Sequence, residues 1–308
     1  MDLKLLEYIV AIADYGNITR AAQALYITQS GLNQQLIRLE KELDTQLFYR
    51  TKRSLHPTQA GKIYIENARE ILRIQRNTYL QLHDINNSIS GELSFGLSWE
   101  HGINMFVEIF PEFVKRYPGI NVRLYERRVN EQQEMLQSGR LDLAFIMLTE
   151  KDKVDLEYIH LCDEEFILGV PRSHPIAQRY AAPPGEPLTT IDLQEFKGEK
   201  FSFMFSSSTQ RSAIDPLFRE AGFAPDVIFE TSMNYALAKM VCAGLCCTIM
   251  PQDYAINDEN GAWFRLSSRP KWEWVIAYSG KLHLNDSVRY LISLAQRYAY
   301  GRELQWFN

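Results

Sequence analysis

Side chains able to read DNA recur at helical spacing near the N-terminus. Between Thr28 and Leu43, the residues Leu32, Leu36, Leu39 and Leu43 form one stripe of a 3.6-residue period. Ser30, Gln34, Arg38 and Lys41 fall roughly opposite that stripe, and Asn33 lies on its flank. Asn and Gln can form paired hydrogen bonds with adenine edges in the major groove, whereas Arg and Lys attract phosphate. A helix buried on one side and hydrogen-bonding on the other is how a helix-turn-helix meets double-stranded DNA. Two amphipathic helices with a short connection also occur as plain packing, so periodicity alone leaves both readings open.

A second group has small-molecule chemistry. Ser206-Ser207-Ser208-Thr209-Gln210-Arg211 stands between an expected strand and an expected helix. Hydroxyls and free amides at a helix N-terminus, with a guanidinium nearby, favour an anion such as a carboxylate. The serines serve equally well as simple caps. Enzymatic signatures are missing: there is no Gly-x-Ser-x-Gly elbow, Walker loop, His-Glu-x-x-His or Gly-x-Gly-x-x-Gly after a strand. Catalytic residues, metal and cofactors are therefore not expected. The histidines at 56, 83, 101, 160, 174 and 283 show no metal spacing. Cys162, Cys242, Cys246 and Cys247 form no Cys-x-x-Cys pair, and the last three lie in an apolar run that suits buried thiols better than redox sensing.

The elements that must hold these groups follow from capping and spacing. Leu5, Leu6, Ile9, Ile12 and Ala13 predict a first helix stopped by Gly16. Ala21, Ala22 and Leu25 give the core face of a short second helix, and Thr28 is a good N-cap for the third. From about Gln59 to Asn87 the chain lacks proline, and Tyr64, Ala68, Ile71, Leu82 and Ile85 approximate a heptad. The spacing predicts a long helix that pairs with a second copy, or else packs along its own domain.

Beyond Gly91, apolar strands and helices alternate, which predicts parallel sheets covered by helices. Strands are expected at Glu92–Leu97, Val122–Tyr125, Leu141–Leu148, Phe166–Val170, Lys200–Phe205, Val227–Glu230 and Leu245–Met250. Helices are expected at Ile103–Tyr117, Glu131–Ser138, Ser212–Ala221, Tyr235–Ala243 and Asn285–Tyr300.

The segments Thr19–Leu25 and Thr28–Leu43 resemble the winged helix-turn-helix of the LysR-type transcriptional regulators. The match continues through Leu47-Phe48-Tyr49-Arg50-Thr51 and Leu55-His56-Pro57-Thr58-Gln59-Ala60-Gly61. By position, it implies that Gln29, Ser30, Asn33 and Gln34 face base edges. Thr19, Arg50, Lys52 and Arg53 would meet phosphates or the minor groove. At Gly31, Asn33 and Gln34 the chain departs from the family's more usual alanine, serine and basic residue, which leaves the operator sequence open.

Pro118-Gly119-Ile120-Asn121-Val122, Gly139-Arg140-Leu141-Asp142-Leu143-Ala144, Phe218-Arg219-Glu220-Ala221-Gly222-Phe223 and Val241-Cys242-Ala243-Gly244-Leu245 resemble the same family's effector-binding domain. The fold implied is α/β, with a helix-rich winged helix-turn-helix at 1–58 and a dimerising linker helix at 59–90. A two-subdomain domain, built like a periplasmic solute-binding protein, would occupy 91–308. One subdomain would comprise 91–161 and 269–308, the other 162–268. The effector would lie between Ser98-Trp99-Glu100-His101 and Ser206-Ser207-Ser208-Thr209. Where the family tends to use small polar residues, Trp99, Glu100 and His101 make a zwitterionic or aromatic ligand conceivable besides a carboxylate. Arg127 and Arg128 either add charge there or are simply solvated.

Length and charge agree with a DNA-binding head on an acidic body. The chain has 308 residues and a net charge of -5. Residues 1–87 carry 11 basic against 9 acidic residues, and residues 88–308 carry 22 against 29. No stretch approaches the roughly 20 apolar residues needed to span a bilayer, and no signal peptide is expected. The expectation is a cytoplasmic homodimer or homotetramer, switched by a small molecule that alters how its subunits associate. The alternatives are a regulator that answers only to a protein partner and a transport solute-binding protein.

Overall fold

Helix caps set out the N-terminal unit. In a computed structural model that describes residues 2–50, 54–86, 90–98, 100–183 and 186–307, the chain divides into two compact units. The first comprises Met1–Ile89 with Ser138–Arg140, and the second Ser90–Gln137 with Leu141–Asn308. Helix α1 (Leu3–Tyr15) starts at Asp2, whose side chain accepts the Lys4 amide, and ends at Gly16 in the left-handed region at φ 56°. Asn17 caps α2 (Ile18–Ala24), and Thr28 caps α3 (Gln29–Glu42) by accepting the Gly31 amide at 3.1 Å. Ile9, Ile12, Ala21, Ala22, Leu32, Leu36 and Leu39 make one core. Leu43, expected on that stripe, is instead the C-cap of α3 and is 41% exposed. The helix ends one residue too early to bury it.

A two-stranded antiparallel wing follows, β1 (Phe48–Arg50) against β2 (Leu55–Pro57). Glu40 Oε1 fixes its start by accepting the Leu47 and Phe48 amides at 2.7 and 3.1 Å. Thr58 then accepts the Gly61 amide and donates to the Gln46 carbonyl, opening α4 (Gln59–Asn86). A Cβ on Gly61 would collide with the Leu47 carbonyl oxygen, so only glycine lets α4 lie this close.

The predicted heptad is divided by this contact. Tyr64 and Ala68 turn into their own unit, whereas Leu82 is exposed with Ile63, Ile74 and Tyr79. The side chain of Ile85 lies outside the described residues.

The second unit begins β3 (Ser90–Leu97), α5 (His101–Arg116), β4 (Gly119–Glu126), α6 (Val129–Gln137) and β5 (Leu143–Leu148). It continues β6 (Glu157–Pro171), α7 (Pro175–Tyr180), β7 (Thr190–Ile191), β8 (Lys200–Met204), α8 (Thr209–Glu220) and β9 (Asp226–Thr231). Helix α9 (Asn234–Cys242), β10 (Thr248–Pro251), β11 (Gly261–Leu266), β12 (Lys271–Tyr278) and α10 (Asp286–Phe307) complete it. The strand order is β4-β3-β5-β12-β6-β11-β7, with β10 also on β6, and β8 pairs β9 separately.

Parallel pairing holds for β3 with β4 and β5, and for β8 with β9. β7 also runs parallel to β11, but the expectation of parallel sheets does not extend to β6 and β12, which run antiparallel to their neighbours. The reason is the length of β6: Glu157 to Glu165 pair with β12, and the remainder pairs with β10 and β11. Only Phe166–Val170 was legible as strand, because the first half of β6 is partly exposed and polar. Strands β11 and β12 and helix α7 were not anticipated, and α10 runs past Tyr300 to Phe307.

Within the Gly139–Ala144 segment, Asp142 has a clear task. Its carboxylate accepts the Ser94 amide and hydroxyl at 2.8 and 2.6 Å, locking β3 beside the start of β5. Ser98, just beyond the end of β3, lines the cleft described below.

Candidate functional site

The polar face of α3 is assembled by burying its other side. Leu32, Leu36 and Leu39 are at most 5% exposed, which leaves Gln29, Ser30 and Gln34 in solvent. Asn33 is half-buried, and Thr19 on α2 is exposed. Arg50 ends β1, while Lys52 and Arg53 lie outside the described residues. Tyr26, which was not singled out, is 96% exposed in the turn between α2 and α3 at φ 54°. An aromatic in the left-handed region is uncommon, and neither glycine nor asparagine stands there to signal it.

In the second unit, a cavity of about 650 Å³ brings together Ser98, Glu100, His101, Ser206, Ser207, Ser208 and Thr209. Trp99 lies outside the described residues. Two of these hydroxyls are already committed: Ser208 caps α8 by accepting the Arg211 amide at 3.2 Å, and Thr209 donates to the Met147 carbonyl at 2.9 Å. Ser206 and Ser207 remain at the α8 N-terminus, where Arg128 Nη1 donates to Ser207 Oγ at 2.9 Å. Arg127 and Lys151 also line the cavity, and Lys151 Nζ reaches the Ser212 carbonyl at 2.6 Å. Thus Arg128 and Lys151 both touch uncharged oxygens, which keeps their positive charge available to a ligand.

Glu100 and His101 divide the work at the other wall. Glu100 Oε2 accepts the Asn234 amide at 2.7 Å, and Oε1 accepts the Tyr235 amide at 3.3 Å, so this carboxylate caps α9. His101, 3% exposed, has its ring nitrogens 3.2 Å from Glu164 and 3.5 Å from Asp253. Burial alone would lower the His101 pKa, but the two carboxylates outweigh it and hold it up at about 9. Glu164 is wholly buried and accepts the indole N–H groups of Trp272 and Trp274, each at 2.8 Å. Arg302 completes the group by pairing with Asp253.

Buried polar atoms of the lining that have no protein partner include Ser98 Oγ, Gln210 Oε1 and Asn234 Oδ1, whereas the Tyr254 hydroxyl meets the backbone of His101. Burial and the negative charge of Glu100, followed by those of Glu164 and Asp253, push the Tyr254 hydroxyl well above its usual pKa.

Comparison with known proteins decides what this pairing of an exposed helix and a cavity belongs to. Residues 3–62 match the model described as "Bacterial regulatory helix-turn-helix protein, lysR family", and residues 86–299 match the "LysR substrate binding domain". The chain belongs to the LysR family. A LysR-type chain of this kind is a DNA-binding transcriptional regulator with an effector-binding domain. Among its LysR-family relatives is the uncharacterized HTH-type transcriptional regulator YybE of Bacillus subtilis (strain 168), 29% identical, with 87% of this chain and 88% of that one covered. The hydrogen peroxide-inducible genes activator of Escherichia coli O157:H7 is also 29% identical, over 82% of this chain and 79% of the relative. In fold, the LysR chain resembles a full-length OxyR variant from Pseudomonas aeruginosa, with a TM-score of 0.67, 20% identity and 96% of each chain covered.

Sequence reasoning had not singled out Asn234, Tyr254, Lys151 or Trp272 as residues of the LysR effector-binding domain's cavity. Trp272-Glu273-Trp274 did carry a usable signal, since a period of two places both indoles on one face of a strand. Among the described residues, no helix is long and apolar enough to cross a membrane.

Proposed function

We propose that the chain is a cytoplasmic regulator that reads an operator with Gln29, Ser30, Asn33 and Gln34 and grips the backbone with Thr19, Arg50, Lys52 and Arg53. The observation that carries this reading is α3, buried along one side and lined on the other by exposed hydrogen-bonding residues. Two copies join through α4, whose Ile63, Ile74, Tyr79 and Leu82 are exposed. The edge strand β9, with Val227, Ile228 and Phe229 exposed, offers a further surface for assembly into a tetramer.

The effector is an anion-bearing small molecule held between Ser98-Trp99-Glu100-His101 and Ser206-Ser207-Ser208-Thr209. Support comes from the α8 N-terminus and from the charges of Arg128 and Lys151 beside it. The halves 91–161 with 269–308 and 162–268 hinge about β6 and β12. Closure on the ligand changes how dimers associate, and so the spacing of the reading helices. Such a switch requires the ligand to prefer one arrangement, because equal affinity for both shifts nothing.

The peroxide in the name of the Escherichia coli relative is not carried over to this chain. All four of its thiols have pKa values raised by burial.

The test is selection of bound duplexes from the native genome, followed by electrophoretic shift at low salt. A small set of related fragments is expected, and the genes beside them would suggest the effector. A protein that shifts neither genomic nor random duplex would overturn the reading.

A further inference from the structure

We infer that the cleft takes a zwitterion, with its anionic group at the N-terminus of α8 and its ammonium group at the wall made by Glu100, Asn234 and Tyr254. The inference rests on the reading of the cavity as the effector site and names the ligand class.

The two walls have opposite chemistry. At α8, Ser206 and Ser207 remain as donors, Arg128 stands 2.9 Å from Ser207 Oγ, and Lys151 lines the same cavity. Oriented amides, hydroxyls and cations together call for negative charge. At the Glu100 wall the Glu100 carboxylate and Asn234 Oδ1 accept instead. Asn234 is 5% exposed and its Oδ1 has no protein partner, while the buried Tyr254 hydroxyl lines the same wall and meets the backbone of His101. The Glu100 carboxylate takes the Asn234 amide, and Tyr254 lines the same cavity.

Charge balance points the same way. The nearby cations are spent, because His101 faces Glu164 and Asp253 and Arg302 pairs with Asp253. Among the described residues, no Lys or Arg side chain pairs with Glu100, so only the α9 N-terminus offsets its charge. An ammonium group would supply donors to Glu100 and to Asn234 Oδ1 at once. A carboxylate or a methyl in that place would leave the Asn234 oxygen unmet, and a carboxylate would also face a like charge. Met147, Met204, Phe205 and Trp272 in the lining suit an apolar remainder.

The experiment is calorimetric titration of the full chain with the twenty common L-amino acids, their deaminated carboxylates and their decarboxylated amines. At least one amino acid should bind about tenfold or more tightly than both of its counterparts, a gap of one decade in Kd. Glu100→Gln should shrink the gap over the carboxylate, and Arg128→Gln the gap over the amine. Asn234→Asp, nearly isosteric, should widen the first gap and serves if the Glu100 variant misfolds. A carboxylate that binds as tightly as its amino acid overturns the zwitterion and leaves the cleft reading standing. Gaps that survive Glu100→Gln and ignore Asn234→Asp also overturn it. Failure of all sixty compounds to bind would sink the cleft reading and this inference together, while leaving DNA binding untouched.

Discussion

The carboxylate of Glu100 caps a helix that begins at Asn234, accepting its amide at 2.7 Å. Helix α9 has no cap of its own, since Met233 precedes it. Glu100 holds this position with its backbone at φ 53° and ψ -75°, outside the wells open to non-glycine residues. Such a conformation costs roughly 1–3 kcal/mol and persists only where surrounding contacts determine it.

Cap and strain can be separated by two substitutions. Glu100→Ala removes the cap and keeps the strain, so stability should fall by about 1 kcal/mol. Glu100→Gly removes both, and should exceed the alanine variant by about 1 kcal/mol because glycine tolerates positive φ. Urea midpoints of the two variants decide the matter. A glycine variant less stable than the alanine variant would refute the strain.

His101 makes stability depend on pH with a definite sign. Its folded pKa of about 9 lies above the ordinary histidine value of 6.5. A raised pKa means that the stabilisation is complete below about pH 6.5 and is lost as pH rises through about 9. The facing groups are Glu164 and Asp253, with the rings of Tyr254 and Trp274 tilted against the imidazole at 4.4 and 4.7 Å and Arg302 behind Asp253. The unfolding free energy, read from denaturant titrations, should therefore fall between pH 7 and pH 10, by an amount on the order of 3 kcal/mol. His101→Gln should flatten that slope and lower stability at pH 7, by about 3–5 kcal/mol, because Glu164 stays buried without its cation. A variant with the wild-type pH profile would contradict the assignment.

What was legible in the sequence was local. Gly16 and Thr28 act within three or four residues of themselves, and the leucine stripe of α3 needs only its own period. The α8 end of the cleft was readable for the same reason, because Ser206 to Arg211 carry their chemistry in one run. Glu164 shows why the rest was not. A carboxylate on a strand suggests a solvated face, yet it is wholly buried because His101, Trp272 and Trp274 converge on it from distant segments. The ladder of β6 with β12 depends on the same long-range pairing, which periodicity does not encode.

Base reading and backbone gripping should separate under salt. Gln34→Ala should lose about 1–3 kcal/mol of discrimination at one base pair while binding to random duplex holds. Arg53→Ala should weaken every sequence alike and reduce the slope of log K against log salt by about one. Fluorescence anisotropy on a selected and a scrambled duplex at two salt concentrations measures both effects. If Gln34→Ala weakened both duplexes equally and Arg53→Ala only the selected one, the roles would be reversed.

The cysteines should be chemically quiet in the folded chain. Burial, then the charge of Glu164, raises the Cys162 thiol far above its usual value, and burial, then Glu199, pushes Cys247 up to about 12. Burial also raises Cys246, whose thiol donates to Ser202 Oγ at 3.2 Å. Cys242 is less enclosed, and burial, then Asp258, raises it too. The thiolate is the reactive form, and a thiol with a pKa near 12 is ionised at pH 7 only to about one part in 10⁵. Iodoacetamide should label Cys242 first and the other three only after denaturant is added, as followed by mass spectrometry. Hydrogen peroxide should leave DNA binding unchanged. Rapid native labelling of Cys162 or Cys247, or a loss of binding that a thiol reductant restores, would show that burial does not protect them and would return redox sensing to consideration.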